Sequence, residues 1–260
     1  MTFPILFAEI KRAFRLARSY SLEYISDFVL YVAGFLLLVV IFRASSDSYG
    51  PEGILSTLIG YLTWKICASV MINIAHIADD EAKTGTLESL YVIGIPSGSL
   101  FLTRTVGIIL NEGIRGLILG IVLALVFGVL PQVSILAILI FLLTLTGACG
   151  FGFALTGLVL LYKRTGGMLN LVWQMLVFFT GALAPIQQPI FATIARVLPL
   201  TWGIECLRAV FIEKATVLSL WQNGLMVGLL INTSFYVVLG VFCFKWGERR
   251  ARLQGVLAHY

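Results

Sequence analysis

The apolar residues of this chain fall in long unbroken runs rather than in alternation. Six runs stand out, at 24–42, 54–78, 100–130, 133–162, 168–184 and 220–244. Crossing a hydrocarbon core takes roughly 20 apolar residues in a helix. In lipid the backbone must satisfy its own polar groups, so continuous runs predict helices. A membrane barrel would instead show short alternating segments, and none is present. The first run is marginal, because Asp27 interrupts its start. The third is long enough to project from the bilayer or to tilt strongly. The fourth carries Gly147, Gly150, Gly152 and Gly157 in its middle. The pattern predicts an all-α polytopic membrane protein with six transmembrane helices, forming a single transmembrane domain over 1–260.

Three other stretches break the pattern in informative ways. In 3–20, Phe3, Phe7, Ile10, Phe14 and Ala17 recur at spacings of four and three, beside a stripe of Lys11, Arg15 and Arg18. That predicts a basic amphipathic helix within 1–22, lying in the membrane interface; the plainer reading is a basic flank that sets topology. The stretch 79–96, DDEAKTGTLESLYVIGIP, is the one long polar interval that also reads as a helix. Leu87, Leu90, Tyr91 and Ile95 share one helical face, and Pro96 ends it. A short amphipathic helix between two spans suits docking of a soluble partner, although it also suits a simple solvated connection. The stretch 185–219 holds Pro185, Pro189 and Pro199 yet stays apolar. It is too broken for a span and too apolar for an exposed loop, which predicts two short helices re-entering the outer leaflet. Within it, Glu205 and Arg208 are three apart and positioned to pair.

Composition sharpens this reading. Apolar residues are 59% and charged residues 12% of the chain, and the mean hydropathy is +0.99; a soluble domain needs more charge to cover its surface. The net charge of +5 is no sign of nucleic acid, because the basic residues cluster at segment ends, where they set orientation. With the N-terminus inside, the cytoplasmic segments carry Lys11, Arg12, Arg15, Arg18, Lys83, Arg104, Lys163, Arg164, Lys245, Arg249, Arg250 and Arg252. The outer segments carry Arg43, Arg196, Arg208 and Lys214. That asymmetry predicts an even number of spans and both termini in the cytoplasm; the expected location is the cell inner (plasma) membrane. No cleavable signal peptide is evident. Cys67, Cys149, Cys206 and Cys243 are far apart, without CxxC or a Cys/His grouping, so neither a metal site nor a redox pair is expected.

No catalytic constellation is present. GxSxG, HExxH and GxxxxGK[ST] are all missing, so neither an intramembrane hydrolase nor nucleotide binding by the Walker route is supported. The ionisable residues inside spans remain to be read, since they are costly in lipid. Lys65 lies roughly 16 Å into the second span at helical rise; it either lines a polar pathway or snorkels outward. Glu112 and Arg115, three apart on the third span, are expected to pair with each other. Asn73 and Gln174 are expected to bond across helices. Gly116-x-x-x-Gly120 and Gly224-x-x-x-Gly228 allow close helix approach.

The run Glu81-Ala-Lys-Thr-Gly-Thr-Leu-Glu-Ser-Leu90, followed by Pro96, resembles the cytoplasmic segment of the type-2 family of ABC exporter permeases. The likeness extends to the basic N-terminal helix, the six spans and the apolar re-entrant pair before the last span. It implies that Glu81, Gly85, Thr86, Glu88 and Leu90 belong to a coupling helix that docks on a separate ABC ATPase. It also implies that Lys163, Arg164 and the turn to Gly167 form a second, smaller contact. Members of the family pair two permease halves, identical or homologous, with two ATPase copies; ATP and magnesium belong to that partner, and no cofactor is expected on this chain. The polysaccharide exporters of the family carry an R-Y-K-type segment and a tryptophan-proline signature before the first span. This chain reads IKRAFRLARSYSLEYISDFVLYVAGF there, which favours an amphipathic small molecule, a drug or a lipid as cargo. The expectation is therefore a non-enzymatic transport subunit. Its rivals are a polysaccharide-exporting permease of the same family, a membrane scaffold without transport activity, and an ion-driven secondary carrier. The carrier would need inverted repeats and a mid-membrane carboxylate, and the sequence offers no convincing repeat and no acidic residue clearly at mid-depth.

Overall fold

The computed structural model describes residues 21–45, 49–84, 97–162, 165–186 and 188–253. Among them every regular element is a helix: α1 (Ser21–Ser45), α2 (Pro51–Thr84), α3 (Ser97–Phe127), α4 (Ile135–Val159), α5 (Gly166–Phe179), α6 (Pro189–Val197), α7 (Thr201–Ile212), α8 (Val217–Gln222) and α9 (Leu225–Leu253). Five of these, α1, α2, α3, α4 and α9, are long and apolar enough to cross a membrane. The bent pair α6–α7 would make a sixth if taken as one span. The interfacial helix expected within 1–22 lies almost wholly outside the described residues.

Local chemistry explains where the helices end, and why they differ from the apolar runs. The third run predicts a helix to 130, but α3 stops at Phe127 because Gly128 takes a positive φ of 65°. The Val129 N–H then closes on the Ala124 carbonyl at 3.0 Å, a glycine-terminated helix end. α4 begins one residue after Ser134, whose hydroxyl accepts the Ala137 N–H at 3.1 Å. The sixth run predicts one helix over 220–244. The structure divides it at Gly224, φ 73°, into α8 and a longer α9 that continues to Leu253. The fifth run predicts a span over 168–184, but α5 has only 14 residues. At ~1.5 Å per residue it reaches about 21 Å, short of a ~30 Å core. Its end is set by Gly181, φ 70°.

The stretch 185–219 folds as two short helices, α6 and α7, bent by 111° about the Pro199 break. The expected Glu205–Arg208 pair does not form. Arg208 is buried and donates to three backbone carbonyls instead: Gly181 at 2.7 Å, Ala182 at 3.1 Å and Ser56 at 3.1 Å. It ties the end of α5 to the start of α2, and carbonyls left over where a helix stops need such donors. Glu205 faces Arg196 at 3.5 Å.

α2 is the axis of the bundle. Within its most apolar window 89% of residues are buried, against 11% in α1 and 28% in each of α3 and α9. The outer helices turn large apolar side chains outward, such as Leu22, Leu30, Leu117, Leu125 and Phe242. Such a surface suits lipid rather than water. The closest packing in the bundle joins α4 to α9. A Cβ on Gly150 would come within 2.5 Å of the Tyr236 carbonyl oxygen, and one on Gly157, Gly240 or Gly247 would likewise run into backbone of the facing helix. Gly116 and Gly120 of α3 instead make room for side chains of α2, Ile66 and Leu62. Gly224 plays no such part, because it forms the turn before α9.

Candidate functional site

The close approach of α3 to α2 at Gly116 places two buried charges side by side. Lys65 and Ile66 are neighbours on α2, and Glu112 lies one turn before Gly116 on α3. Lys65 Nζ donates to Glu112 Oε2 at 2.8 Å, with side chains only 3% and 2% exposed. The other carboxylate oxygen, Oε1, accepts from Arg115 Nη1 at 3.1 Å and from Asn73 Nδ2 at 3.5 Å. Arg115 Nη2 in turn reaches Asp27 Oδ2 of α1 at 2.8 Å. Four charges therefore alternate in sign along a line from the edge of α1 into the centre of the bundle, and their sum is zero.

Aromatic rings complete the surroundings. The Arg115 guanidinium lies 4.2 Å from the Tyr24 ring centroid, and Lys65 Nζ lies 5.4 Å from that of Tyr31. The Asn111 amide donates to the Tyr24 hydroxyl at 3.4 Å. Beside Lys65, the Trp64 ring meets Trp173 of α5 in a tilted contact, 4.8 Å between centroids, so the short helix α5 is attached next to the same cluster. In a low-dielectric interior each charge here is tolerable because its neighbours oppose it. Removing one leaves the rest uncompensated. The arrangement is a directional joint between three helices.

The sequence reading is met here in part and corrected in part. Glu112 and Arg115 do pair, and Asn73 does bond across helices. Lys65 does not snorkel, because it is buried against Glu112. Gln174 is exposed on α5 rather than bonded across helices. The expectation that no acidic residue sits at mid-depth is overturned: Glu112 lies in the middle of the 101–127 span, buried. Glu81 lies in the last turn of α2, which runs without a break past 78 to Thr84. The start of the expected docking segment is therefore part of the second span's own helix. Gly85, Thr86, Glu88, Leu90, Lys163 and Arg164 lie outside the described residues.

Sequence reasoning missed the Lys65–Glu112 pair and the part played by Asp27. A signal for the first was available. Lys65 lies 13 residues before Ala78, and Glu112 lies 11 residues after Phe101, at the facing ends of the second and third spans. Equal depth in consecutive antiparallel helices brings such residues level.

Comparison with known proteins adds one finding. The family model described as "ABC-2 type transporter" matches residues 5–212, which takes in α1 to α7 and the whole charge cluster. A comparison with curated proteins found no match.

Proposed function

Because the chain belongs to the ABC-2 type transporter family, and is thus a multi-pass membrane transport component, we propose that it is the permease of an ATP-driven exporter. In this reading it forms the substrate path as a dimer with a second permease half. A separate ATPase, in two copies, drives it from the cytoplasmic side. The cargo is an amphipathic small molecule, a drug or a lipid, in keeping with the absence of the polysaccharide signature before α1. In this reading both termini lie in the cytoplasm, which requires the α6–α7 pair or α5 to supply a sixth crossing.

One observation carries the coupling part of this reading. α2 is a single helix of 34 residues, about 51 Å long at ~1.5 Å per residue. The hydrocarbon core is ~30 Å, so α2 extends well beyond it. Its last turn holds Glu81, at the start of the run read as the docking segment. Its middle holds Lys65, hydrogen-bonded to Glu112. A push at the cytoplasmic end is delivered along a rigid rod to the joint between α1, α2 and α3. Bundles of packed helices answer such a push by switching between discrete packings rather than by bending. A ligand-driven ATPase needs no more than that differential contact to shift the populations.

The test is reconstitution with the ATPase encoded nearest to this chain. Glu88→Arg and Gly85→Pro are expected to leave the permease folded and bound in the membrane while substrate no longer stimulates ATP hydrolysis. Stimulation at the wild-type level in both variants would sink the docking assignment. Mid-span Glu112 is the one observation favouring an ion-driven carrier, although Lys65 and Arg115 already neutralise it. Transport that continues without ATP and stops when the ion gradient is collapsed would establish the carrier instead.

A further inference from the structure

Away from the charge cluster, α6, α7 and α9 enclose a groove of about 310 Å³, lined by Arg196, Trp202, Gly228, Ile231, Asn232 and Phe235. Its shape follows from the sequence. A Cβ on Gly228 would run into the Trp202 ring, so glycine there lets the indole lie against α9. The Trp202 Nε1–H donates to the Arg196 carbonyl at 2.9 Å, and the Tyr236 hydroxyl donates to the Val197 carbonyl. Asn232 is 8% exposed, and its Nδ2 faces the carbonyls of Arg196, Val197 and Leu198 at 3.4 Å each. Three acceptors on one side fix which way the amide points. Its Oδ1 is thereby turned away from them, buried, and without a partner among the described residues.

A buried acceptor without a donor costs free energy until something supplies one. The mouth of the groove carries the complementary signal. The Arg196 side chain is half-exposed, rests 5.0 Å from the Trp202 ring centroid, and meets Glu205 through Nε at 3.5 Å. Its outer N–H donors carry no hydrogen bond among the described residues. The surface around it is apolar: Ile190, Phe191, Ile194, Val197, Ile231 and Phe235 all point outward. Glu205 meets only the Nε of Arg196, which leaves the outer N–H groups on this apolar surface for a second anion, such as a lipid phosphate.

We propose that this groove binds an anionic phospholipid with a hydroxylated headgroup. The phosphate sits on the Arg196 guanidinium, an acyl chain runs along Ile231 and Phe235, and a headgroup hydroxyl donates to Asn232 Oδ1, which the groove wall covers until the headgroup enters. The lipid bridges the α6–α7 elbow to α9. The site is separate from the joint between α1, α2 and α3, and it does not rest on the export reading.

The test is native mass spectrometry of the delipidated full chain with phosphatidylglycerol, phosphatidylmethanol and phosphatidylcholine of matched acyl chains, and with inorganic phosphate. Wild-type protein is expected to retain one phosphatidylglycerol about tenfold more tightly than phosphatidylcholine, whose choline cation offsets its phosphate beside Arg196 and carries no hydroxyl for Asn232. Phosphatidylmethanol, equally charged but lacking the hydroxyls, is expected about threefold below phosphatidylglycerol. Arg196→Gln is expected to bring phosphatidylglycerol down to the phosphatidylcholine level, whereas Arg196→Lys keeps most of the preference. Ile231→Trp fills the groove from an exposed position and is expected to weaken every lipid. Equal retention of phosphatidylglycerol and phosphatidylcholine by wild type overturns the proposal, and that comparison needs no variant. So does phosphate binding as tightly as the lipid, or a preference that survives both Arg196→Gln and Ile231→Trp. Equal binding of phosphatidylglycerol and phosphatidylmethanol overturns the role given to Asn232.

Discussion

The two sides of α2 are held in opposite ways. On one side, α1 and α3 are joined to it by charges: Asp27, Arg115, Glu112 and Lys65 in series, with α1 otherwise barely buried. On the other, α4 packs on α9 through facing glycines, Gly150 and Gly157 against Gly240 and Gly247, and on α2 through Gly152 against Met71. Threonine hydroxyls add long hydrogen bonds there, such as Thr233 donating to the Leu143 carbonyl at 3.3 Å. Backbone-to-backbone packing of this kind relies on many weak contacts at one separation, and any shift loses all of them together. A chain of charges relies on a few strong contacts that can be broken and remade with new partners. The contrast teaches where this bundle can move. In the export reading proposed above, the α4–α9 side would serve as the fixed frame and the α1–α3 side as the part whose packing switches.

The largest expected effect comes from the buried end of the charge chain. Glu112→Leu leaves Lys65 buried without a counter-charge and Arg115 held by Asp27 alone, and should destabilise the protein by about 3–5 kcal/mol. Denaturation in mixed micelles measures this. Combining it with Lys65→Met removes both buried charges and should recover most of the loss. Transport by the stable double variant then sharpens the comparison. If the charges are remade during the cycle, transport fails although the fold is restored. Wild-type transport by the double variant would show that the charges serve packing alone, and the contrast would break.

The fixed frame is tested next. Gly150→Val drives a side chain into the Tyr236 backbone and should cost about 2–3 kcal/mol in the same assay. Adding Gly240→Val should cost less than the sum of the two, because both substitutions press on the same crossing. The smallest effect is expected at the exposed end of the charge chain. The Asp27 side chain is 45% exposed, so Asp27→Asn should change stability by about 0.5–1 kcal/mol. If Asp27→Asn proves as damaging as Glu112→Leu, α1 belongs to the frame and not to the moving part.

Much of this was legible in the chain. Runs of twenty or more apolar residues have few outcomes in lipid other than helices, so α1, α2, α3, α4 and α9 were recoverable from length alone. The bent pair α6–α7 was readable because Pro199 cannot continue a helix. Less legible were the ends, which depend on positive-φ glycines at 128, 181 and 224; a glycine in a membrane run gives no sign of whether it will pack or turn. Gly116 packs and Gly224 turns, although both head the same four-residue spacing.

For the site, the sequence by itself determined which residues were costly: Asp27, Lys65, Glu112 and Arg115 carry charge inside apolar runs, and such groups must find partners or water. It also determined local partners, as with Glu112 and Arg115, because helical spacing is fixed. Only the tertiary structure decided that Lys65 meets Glu112, that Asp27 reaches Arg115, and that Arg208 turns from Glu205 to three carbonyls. Those choices depend on which helices touch and at what depth. That is set by where glycine lets two backbones close together, and no single segment of the chain contains both halves of such a contact.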